Sequence, residues 1–307
     1  MAEALYVAHG TVVFTREGLI LQSLSIPTPP GYIAALPKYL VCSGDTPWKT
    51  RGGVGFCRLM KRYSVEDLER ALPLAADLAK KDPLYGVSMP YINLDSSRVI
   101  STIDPREALA KVISSGPHWA IDVLVEVKSE IKDSVEVGIT GSLAAGIYHD
   151  KSDIDMVFLV DLGYAENVLE LFSRIGRPEI TKIKYKGWLK AEVEVGWRRR
   201  LVKGRRVTLV MAPPKAGFHC RPLKEYWAIE SPSSIKSVIV KVKPGQPEAL
   251  LYPPCVKGDN NLHIVSYEYN LALELYKGGL FKVKGLASGE ALYLAVRGVE
   301  TVLDRIK

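Results

Sequence analysis

The chain has 307 residues, which is more than one hydrophobic core usually needs and favours two or three domains. Hydrophobic residues make up 47% and charged residues 24% of the sequence, and these proportions exclude global disorder and collagen-like repetition. The formal net charge is +7, but residues 174–225 hold 15 Lys and Arg against 4 Asp and Glu, so that segment alone carries +11 and the rest −4. Such a local excess fits a polyanion such as nucleic acid or a nucleotide triphosphate, and it also fits a solvated strand face.

The sequence also predicts a cytoplasmic location. Its N-terminus carries Glu3 and no basic start, and no stretch approaches the run of about 18 to 20 apolar residues that a membrane span requires, so we expect neither a secretory signal nor an anchor. The four cysteines are scattered, without a C-x-x-C pair, which predicts reduced thiols rather than a disulfide framework or a zinc ribbon: Cys42, Cys57, Cys220 and Cys255.

The first part of the chain, residues 1–103, is expected to form an N-terminal α+β lobe. Short extended segments at 6–14, 32–41 and 56–60 are separated by Pro and Gly, which is typical of strands and turns. Ser64 can cap a helix over 65–81, with acidic residues in its first turn and lysines at its end, and Pro73 is expected to kink it.

Residues 104–214 alternate between helical and extended patterns. Helices are predicted to start at Asp104 with Pro105 in the first turn, and to run over 119–132 and 165–175. Strands are predicted over 135–140 and 154–160, with a short turn and helix between them through residue 148. Basic extended segments follow at 180–185, 191–198 and 206–212.

Residues 213–217, with two prolines and a glycine, read as a linker. The remaining residues, 215–307, are expected to form a small β-rich domain. Its strand-like runs lie at 235–242, 263–269, 280–283 and 291–296, separated by Gly and Pro.

One group of residues stands out chemically: Gly141-Ser142, ten intervening residues, then Asp153-Ile154-Asp155 at the start of a strand. Because side chains alternate along a strand, both carboxylates point to one face, where they repel each other unless a divalent cation such as Mg²⁺ lies between them. Gly141 permits the close approach of a ligand, and Ser142 starts a short helix whose free amides favour anions. The alternative is that the acids are a strand-entry cap and an exposed edge residue.

At these residues the chain resembles the DNA-polymerase-beta-like nucleotidyltransferase superfamily, whose signature is Gly-Ser, a helix, and Asp-x-Asp on the next strand. The match covers residues 135–161. More broadly, the chain is similar to a family of predicted archaeal nucleotidyltransferases, through the segments at 33–39, 138–142 and 251–254. The resemblance implies an α+β protein whose central domain, 104–214, has that fold, a mixed sheet with helices.

The resemblance implies nucleotidyl transfer, with Asp153 and Asp155 holding two Mg²⁺ (or Mn²⁺) ions and Gly141 and Ser142 binding the nucleoside triphosphate. In-line attack on a phosphate needs positioning and charge neutralisation, which two metals supply. A third carboxylate normally lies on a neighbouring strand, where this chain has Thr208. Glu192 and Glu194 are the alternatives for the third carboxylate, and we choose Glu194. Glu194 is explained equally well as a strand residue that pairs with a nearby charge.

Two functions remain after this reasoning. The first is transfer of a nucleoside monophosphate to an acceptor, with an RNA end held by the basic segment 174–225 as the first choice and a small molecule or protein side chain as the other. Aromatic residues interleave with the basic ones there, which suits either single-stranded RNA or a strand with one core face. The second is a degenerate protein that binds nucleotide or nucleic acid without turnover, because the third acid is missing.

Overall fold

The computed structural model describes residues 7–26, 28, 31–60, 65–78, 80–81, 88–89, 91–131, 135–179, 181–214, 219–224, 234–296 and 298–306. In these ranges the chain is an α+β protein with three larger β-sheets and seven α-helices, so the coarse fold class is confirmed. None of the described helices is long and apolar enough to cross a membrane.

The first sheet belongs to the N-terminal lobe and has six strands in the order β4-β3-β2-β1-β8, with β7 also pairing with β3. A two-stranded sheet pairs β5 with β6. The elements are β1 Val12–Thr15, β2 Leu19–Leu24, β3 Tyr32–Val41, β4 Phe56–Arg58, α1 Val65–Ala71, β5 Lys80–Lys81, β6 Ser88–Met89, β7 Tyr91–Asn93 and β8 Val99–Ile103.

The helix predicted over 65–81 is shorter in the structure. It ends at Ala71 and continues as a 3-10 helix over Leu72–Leu78, and Lys80–Lys81 then form a strand. Pro73 has no N–H to donate to the preceding turn, which is the physical reason for the early end. The predicted capping residue Ser64 lies outside the described residues.

The second sheet has five strands in the order β11-β14-β15-β10-β9. β10 runs antiparallel to β9 and parallel to β15, so it is a mixed sheet. The elements are α2 Pro105–Ser115, α3 His118–Glu130, β9 Glu136–Thr140, α4 Gly141–Ala144, β10 Ile154–Leu159, α5 Ala165–Arg174, β11 Arg177–Pro178, β12 Lys182–Tyr185, β13 Leu189–Glu194, β14 Arg199–Val202 and β15 Arg205–Ala212.

The two faces of the second sheet differ because side chains alternate along each strand. One face packs on α2, α3 and α5 through a continuous apolar core that includes Met156, Phe158 and Leu209. Asp104 caps α2 as predicted, because its side chain accepts a hydrogen bond from the N–H of Arg106 at 2.8 Å. The opposite face carries Asp155, and further along β10 it is covered by the N-terminal segment around Ala8.

The third sheet has eight strands in the order β12-β13-β21-β19-β20-β18-β17, with β16 also pairing with β19. The hairpin β12–β13 therefore joins the C-terminal strands, although it lies within residues 104–214 in the sequence. The elements are α6 Arg221–Lys224, β16 Ile235–Val242, β17 Cys255–Lys257, β18 His263–Ser266, α7 Ala272–Tyr276, β19 Gly279–Ser288, β20 Ala291–Leu294 and β21 Thr301–Arg305.

The prediction of reduced thiols is wrong in this structure, because all four cysteines are paired. Cys42 bonds to Cys57 across the β3–β4 hairpin, and Cys220 bonds to Cys255 between α6 and β17. The scattered spacing of the cysteines in the sequence gave no sign of these bonds. A disulfide requires two cysteines whose Cα atoms the fold brings within about 4.4–6.8 Å of each other. The cytoplasmic location, which partly followed from reduced thiols, stays a prediction.

Arg200 is a structural residue of the second sheet rather than part of a nucleic-acid surface. It is only 7% exposed, and its guanidinium donates to the carbonyl oxygens of Ser173, Ile175 and Gly176 at 2.6–3.0 Å. These carbonyls lie at the C-terminal end of α5, where backbone acceptors lack helical partners and a cation is favourable.

We expect Arg200→Ala to lower the free energy of unfolding by about 3 kcal/mol, because buried hydrogen bonds to a charged group are lost. Urea denaturation followed by circular dichroism measures this. Arg199→Ala, at the half-buried neighbour, is the matched control and should cost about 0.5 kcal/mol. Equal losses in the two variants would contradict the assigned role.

Candidate functional site

Two aspartates lie side by side at the start of β10. Asp153 immediately precedes the strand and is exposed, and Asp155 is its second residue and is half-buried. Their spacing of two places both side chains on one face of the sheet, as the sequence predicted, and in the structure this is the face that the helices do not cover. The charge of the Asp153 carboxylate raises the pKa of Asp155.

Gly141 and Ser142 lie next to this pair because β9 and β10 are neighbours and Thr140 is directly opposite Asp155. Gly141 has a φ of +69°, and a Cβ atom built on it would lie 2.6 Å from Oδ2 of Asp155. Any other residue here would strain the backbone and displace the Asp155 carboxylate, so glycine is favoured at this position. Ser142 is buried at the start of the four-residue helix α4. The structure thus brings four of the predicted site residues together.

Asp155 lies in surroundings that oppose its ionisation. Burial raises its pKa and the Asp153 carboxylate raises it further, whereas the positive charges of Lys38, Arg198 and Arg58 lower it. A carboxylate removed from water gains most from a nearby cation. This surplus of nearby positive charge was not evident from the sequence, because Lys38 and Arg58 come from β3 and β4 of the N-terminal sheet.

Thr208 stands at the position where a third carboxylate is expected. β10 and β15 run parallel, and Asp155 is directly opposite Thr208. Glu194 lies elsewhere: it is exposed on β13 of the third sheet, opposite Lys182, and Glu192 lies opposite Lys184. Opposite charges at these cross-strand positions stabilise a hairpin.

No three His, Cys, Asp or Glu side chains cluster as a metal site within the described part of the chain. The structure therefore does not bring Glu194 into a group with Asp153 and Asp155. Its catalytic role stays a prediction.

Arg206 contacts the exposed member of the acidic pair. Its Nη1 donates to Oδ2 of Asp153 at 3.2 Å, and its Nε and Nη2 donate to the two carboxylate oxygens of Glu179 at 2.9 and 2.7 Å. The Glu179 carboxylate raises the pKa of Arg206. Arg206 precedes Thr208 by two residues on β15, so strand alternation could have placed it on this face from the sequence alone.

The N-terminal segment crosses the same face of the second sheet. The backbone oxygen of Gly10 accepts a hydrogen bond from Oγ1 of Thr140 at 2.6 Å, and a Cβ on Gly10 would lie 2.9 Å from Val157. Burial lowers the pKa of His9 to about 3, helped by the charges of Lys38 and Arg198, so this imidazole is neutral. No motif marked His9, because only the packing of distant segments brings it here.

Arg198 connects the second sheet to the C-terminal part of the chain. Its buried guanidinium donates to the carbonyl of Leu209 at 2.9 Å and to Oδ1 of Asn270 at 3.0 Å, and it lies 4.8 Å from the ring centre of Tyr269. Arg200 and Trp197 are buried as well, which agrees with the alternative that this part of the basic segment has a core face.

The acidic pair fits one divalent cation better than two. Mg²⁺ is commonly held by one or two carboxylates together with phosphate oxygens of a substrate, and Asp153 and Asp155 satisfy that description. The second ion of a two-metal site needs a further carboxylate, and Thr208 offers only a hydroxyl. Arg206 also supplies a permanent positive charge to Asp153, so part of the charge that a cation would neutralise is already balanced.

Comparison of the chain with models of protein families, with curated proteins and with solved structures finds no match in any of the three.

Proposed function

We propose that this chain is a metal-dependent nucleotidyltransferase of the polymerase-beta-like superfamily, moving a nucleoside monophosphate from a nucleoside triphosphate to an acceptor. The observation that carries the proposal is the position of the Asp155 carboxylate, which lies where a Cβ on Gly141 would be crowded, so that the Gly-Ser turn and the Asp-x-Asp strand meet. The order of β9, β10 and β15 in a mixed sheet covered by helices on one face supports the same fold.

In this proposal each residue has a defined task. Asp153 and Asp155 would hold Mg²⁺ or Mn²⁺, which when bound neutralises charge on the phosphates and polarises the phosphoryl group. The hydroxyl of Ser142 and the backbone at Gly141 orient the triphosphate beside the acids. Because transfer of a phosphoryl group depends on positioning and electrostatics, a rigid strand pair is a suitable support for these groups.

The proposed acceptor is an RNA end, and the remaining support for it comes from the hairpin β12–β13. Lys182, Lys184 and Lys186 are exposed there, as a contact with phosphates requires. Lys182 and Lys184 face Glu194 and Glu192 across the hairpin, which reduces the net positive charge of this surface. A small molecule or a protein side chain remains the other class of acceptor.

A second candidate function is nucleotide or nucleic-acid binding without transfer. The observation that favours it is the pairing of Thr208 with Asp155 at the position of the third acid. A neutral hydroxyl is a poorer ligand for a hard cation than a carboxylate. In that case the protein binds a triphosphate with a metal ion but leaves it unchanged.

We expect Asp155→Asn to weaken binding of triphosphate in the presence of Mn²⁺ by about tenfold or more, because one of two charged metal ligands is lost. Isothermal titration with ATP, GTP, CTP and UTP in turn measures the dissociation constant. Asp161→Asn is the matched control: this exposed aspartate lies beyond the other end of β10 and its side chain makes no capping hydrogen bond.

Two results would contradict the proposal: no triphosphate binds the unmodified protein with Mn²⁺, or Asp155→Asn and Asp161→Asn bind it equally well. A labelled-transfer assay on total RNA then separates the two candidate functions. Transfer of label supports the nucleotidyltransferase, whereas binding without transfer supports the second candidate.

A further inference from the structure

Four side chains form a compact arrangement on the face of the second sheet that the helices do not cover: Asp153 and Asp155 along β10, and Arg206 and Thr208 along β15. The two strands are parallel and in register, with Asp155 opposite Thr208. Arg206, one pleat before Thr208, is correspondingly beside Asp153 and contacts it at 3.2 Å. The chain thus has a hydroxyl where a third acid is expected, and a guanidinium next to it.

Contacts hold Arg206 in place, but they do not occupy all of its N–H groups. Glu179 accepts two of its hydrogen bonds and Asp153 accepts a third. A guanidinium has five N–H groups, so two of them make no hydrogen bond to any residue that the structure describes. The Arg206 side chain is 42% exposed and that of Asp153 is 44% exposed, so a ligand can reach both.

We propose that Arg206 contacts the phosphates of the nucleoside triphosphate and takes the electrostatic place of a second divalent cation. The inference rests on the proposed function, since it concerns the ligand of the same site. Arginine is suited to this task because its charge is permanent and its planar fork matches phosphate oxygens. Glu179 fixes the side chain from the other side and orients its remaining N–H groups.

The charges of the site agree with this assignment. A second metal ion beside Asp153 would lie close to the Arg206 charge, and the nearby Glu179 carboxylate already accepts two hydrogen bonds from Arg206. One divalent cation on Asp153 and Asp155, with Arg206 on the phosphates, avoids that conflict. The site is therefore expected to bind one divalent ion for each triphosphate.

Mn²⁺ counting and affinity measurements test this directly. The unmodified protein is titrated with Mn²⁺ in the presence of each α,β-methylene nucleoside triphosphate, and bound ions are counted by electron paramagnetic resonance. We expect one Mn²⁺ for each bound nucleotide. Arg206→Ala should weaken triphosphate binding by about tenfold or more, with a smaller effect on the monophosphate, because charge-assisted bonds to phosphate are lost.

Arg177→Ala is the matched control, since it removes an exposed arginine from β11 of the same sheet. Its triphosphate affinity should equal that of the unmodified protein. Arg206→Lys keeps the charge but not the fork, and it should give an intermediate affinity. Thermal midpoints of all variants are measured beside the affinities.

Several outcomes would overturn the inference. Two Mn²⁺ ions for each nucleotide in the unmodified protein, or an Arg206→Ala affinity within about twofold of the unmodified value, removes Arg206 from the phosphate site. If Arg206→Ala weakens triphosphate and monophosphate binding equally and also lowers the thermal midpoint, Arg206 only stabilises the fold and does not bind the phosphates. If the unmodified protein binds no nucleotide, the proposed function fails as well, and this result is distinct from failure of Arg206 alone.

Discussion

Replacing Cys220 and Cys255 together by alanine is expected to lower the free energy of unfolding by about 4 kcal/mol, because their disulfide closes a long loop. The bond joins residues that are 35 apart in the sequence, and both cysteines are buried in a core cluster with Leu223, Val265 and Tyr293. Without this disulfide the unfolded chain gains conformational entropy, and the gain is larger than for a disulfide that closes a shorter loop.

Urea denaturation of the oxidised protein and of the alanine variant measures this loss. The matched comparison is Cys42→Ala with Cys57→Ala, which opens a loop of separation 15 at an exposed hairpin and should cost about 3 kcal/mol. Alkylation of the denatured, unreduced protein provides a separate check. Modification of all four cysteines would show that neither disulfide forms.

Combining Arg206→Ala with Thr208→Asp should raise the number of bound Mn²⁺ ions from one to two for each triphosphate. The aspartate would lie opposite Asp155 on the neighbouring strand, and loss of the guanidinium removes the positive charge that opposes a second ion. We expect transfer to rise by about 100-fold, which corresponds to a barrier lower by about 2.7 kcal/mol.

The single variant Thr208→Asp should respond less, because the new carboxylate can pair with Arg206 or with Arg199, which lies opposite position 208 on β14. Thr208→Asn in the Arg206→Ala background is the neutral control, with a side chain of nearly the same shape. Counting Mn²⁺ and following labelled transfer in the same samples gives both readouts. An unmodified protein that already transfers at the rate of the double variant would contradict the need for a third acid.

The sequence by itself determined the local features of the candidate site. Strand alternation put Asp153 and Asp155 on one face, and the Gly-Ser turn before them was visible as a motif. The start of α2 at Asp104 and Pro105 followed from capping preferences, and it is confirmed by the hydrogen bond that Asp104 accepts. Such features depend on neighbours within a few residues, so one sequence is enough to find them.

The register of β10 against β15 could be predicted only in part from the sequence. Order and shape of the strands suggested that Thr208 stands near the acidic pair, and the parallel pairing confirms it. The same reasoning could not exclude Glu194, because the hairpin β12–β13 has the same alternating pattern whichever sheet it joins. Its pairing with β21 is a contact across more than 100 residues of chain, which no local pattern specifies.

Only the tertiary structure decided which distant groups surround Asp155. The charges of Lys38 and Arg58 from the N-terminal lobe lower the pKa of Asp155, and so does the charge of Arg198, which is buried against Tyr269 from the C-terminal part. The sequence identified these residues as charged or aromatic. It did not show which face of a sheet each one occupies or which residue it contacts. Burial, disulfide pairing and the pKa of a carboxylate are properties of packed neighbours, and packing depends on how segments far apart in the chain meet.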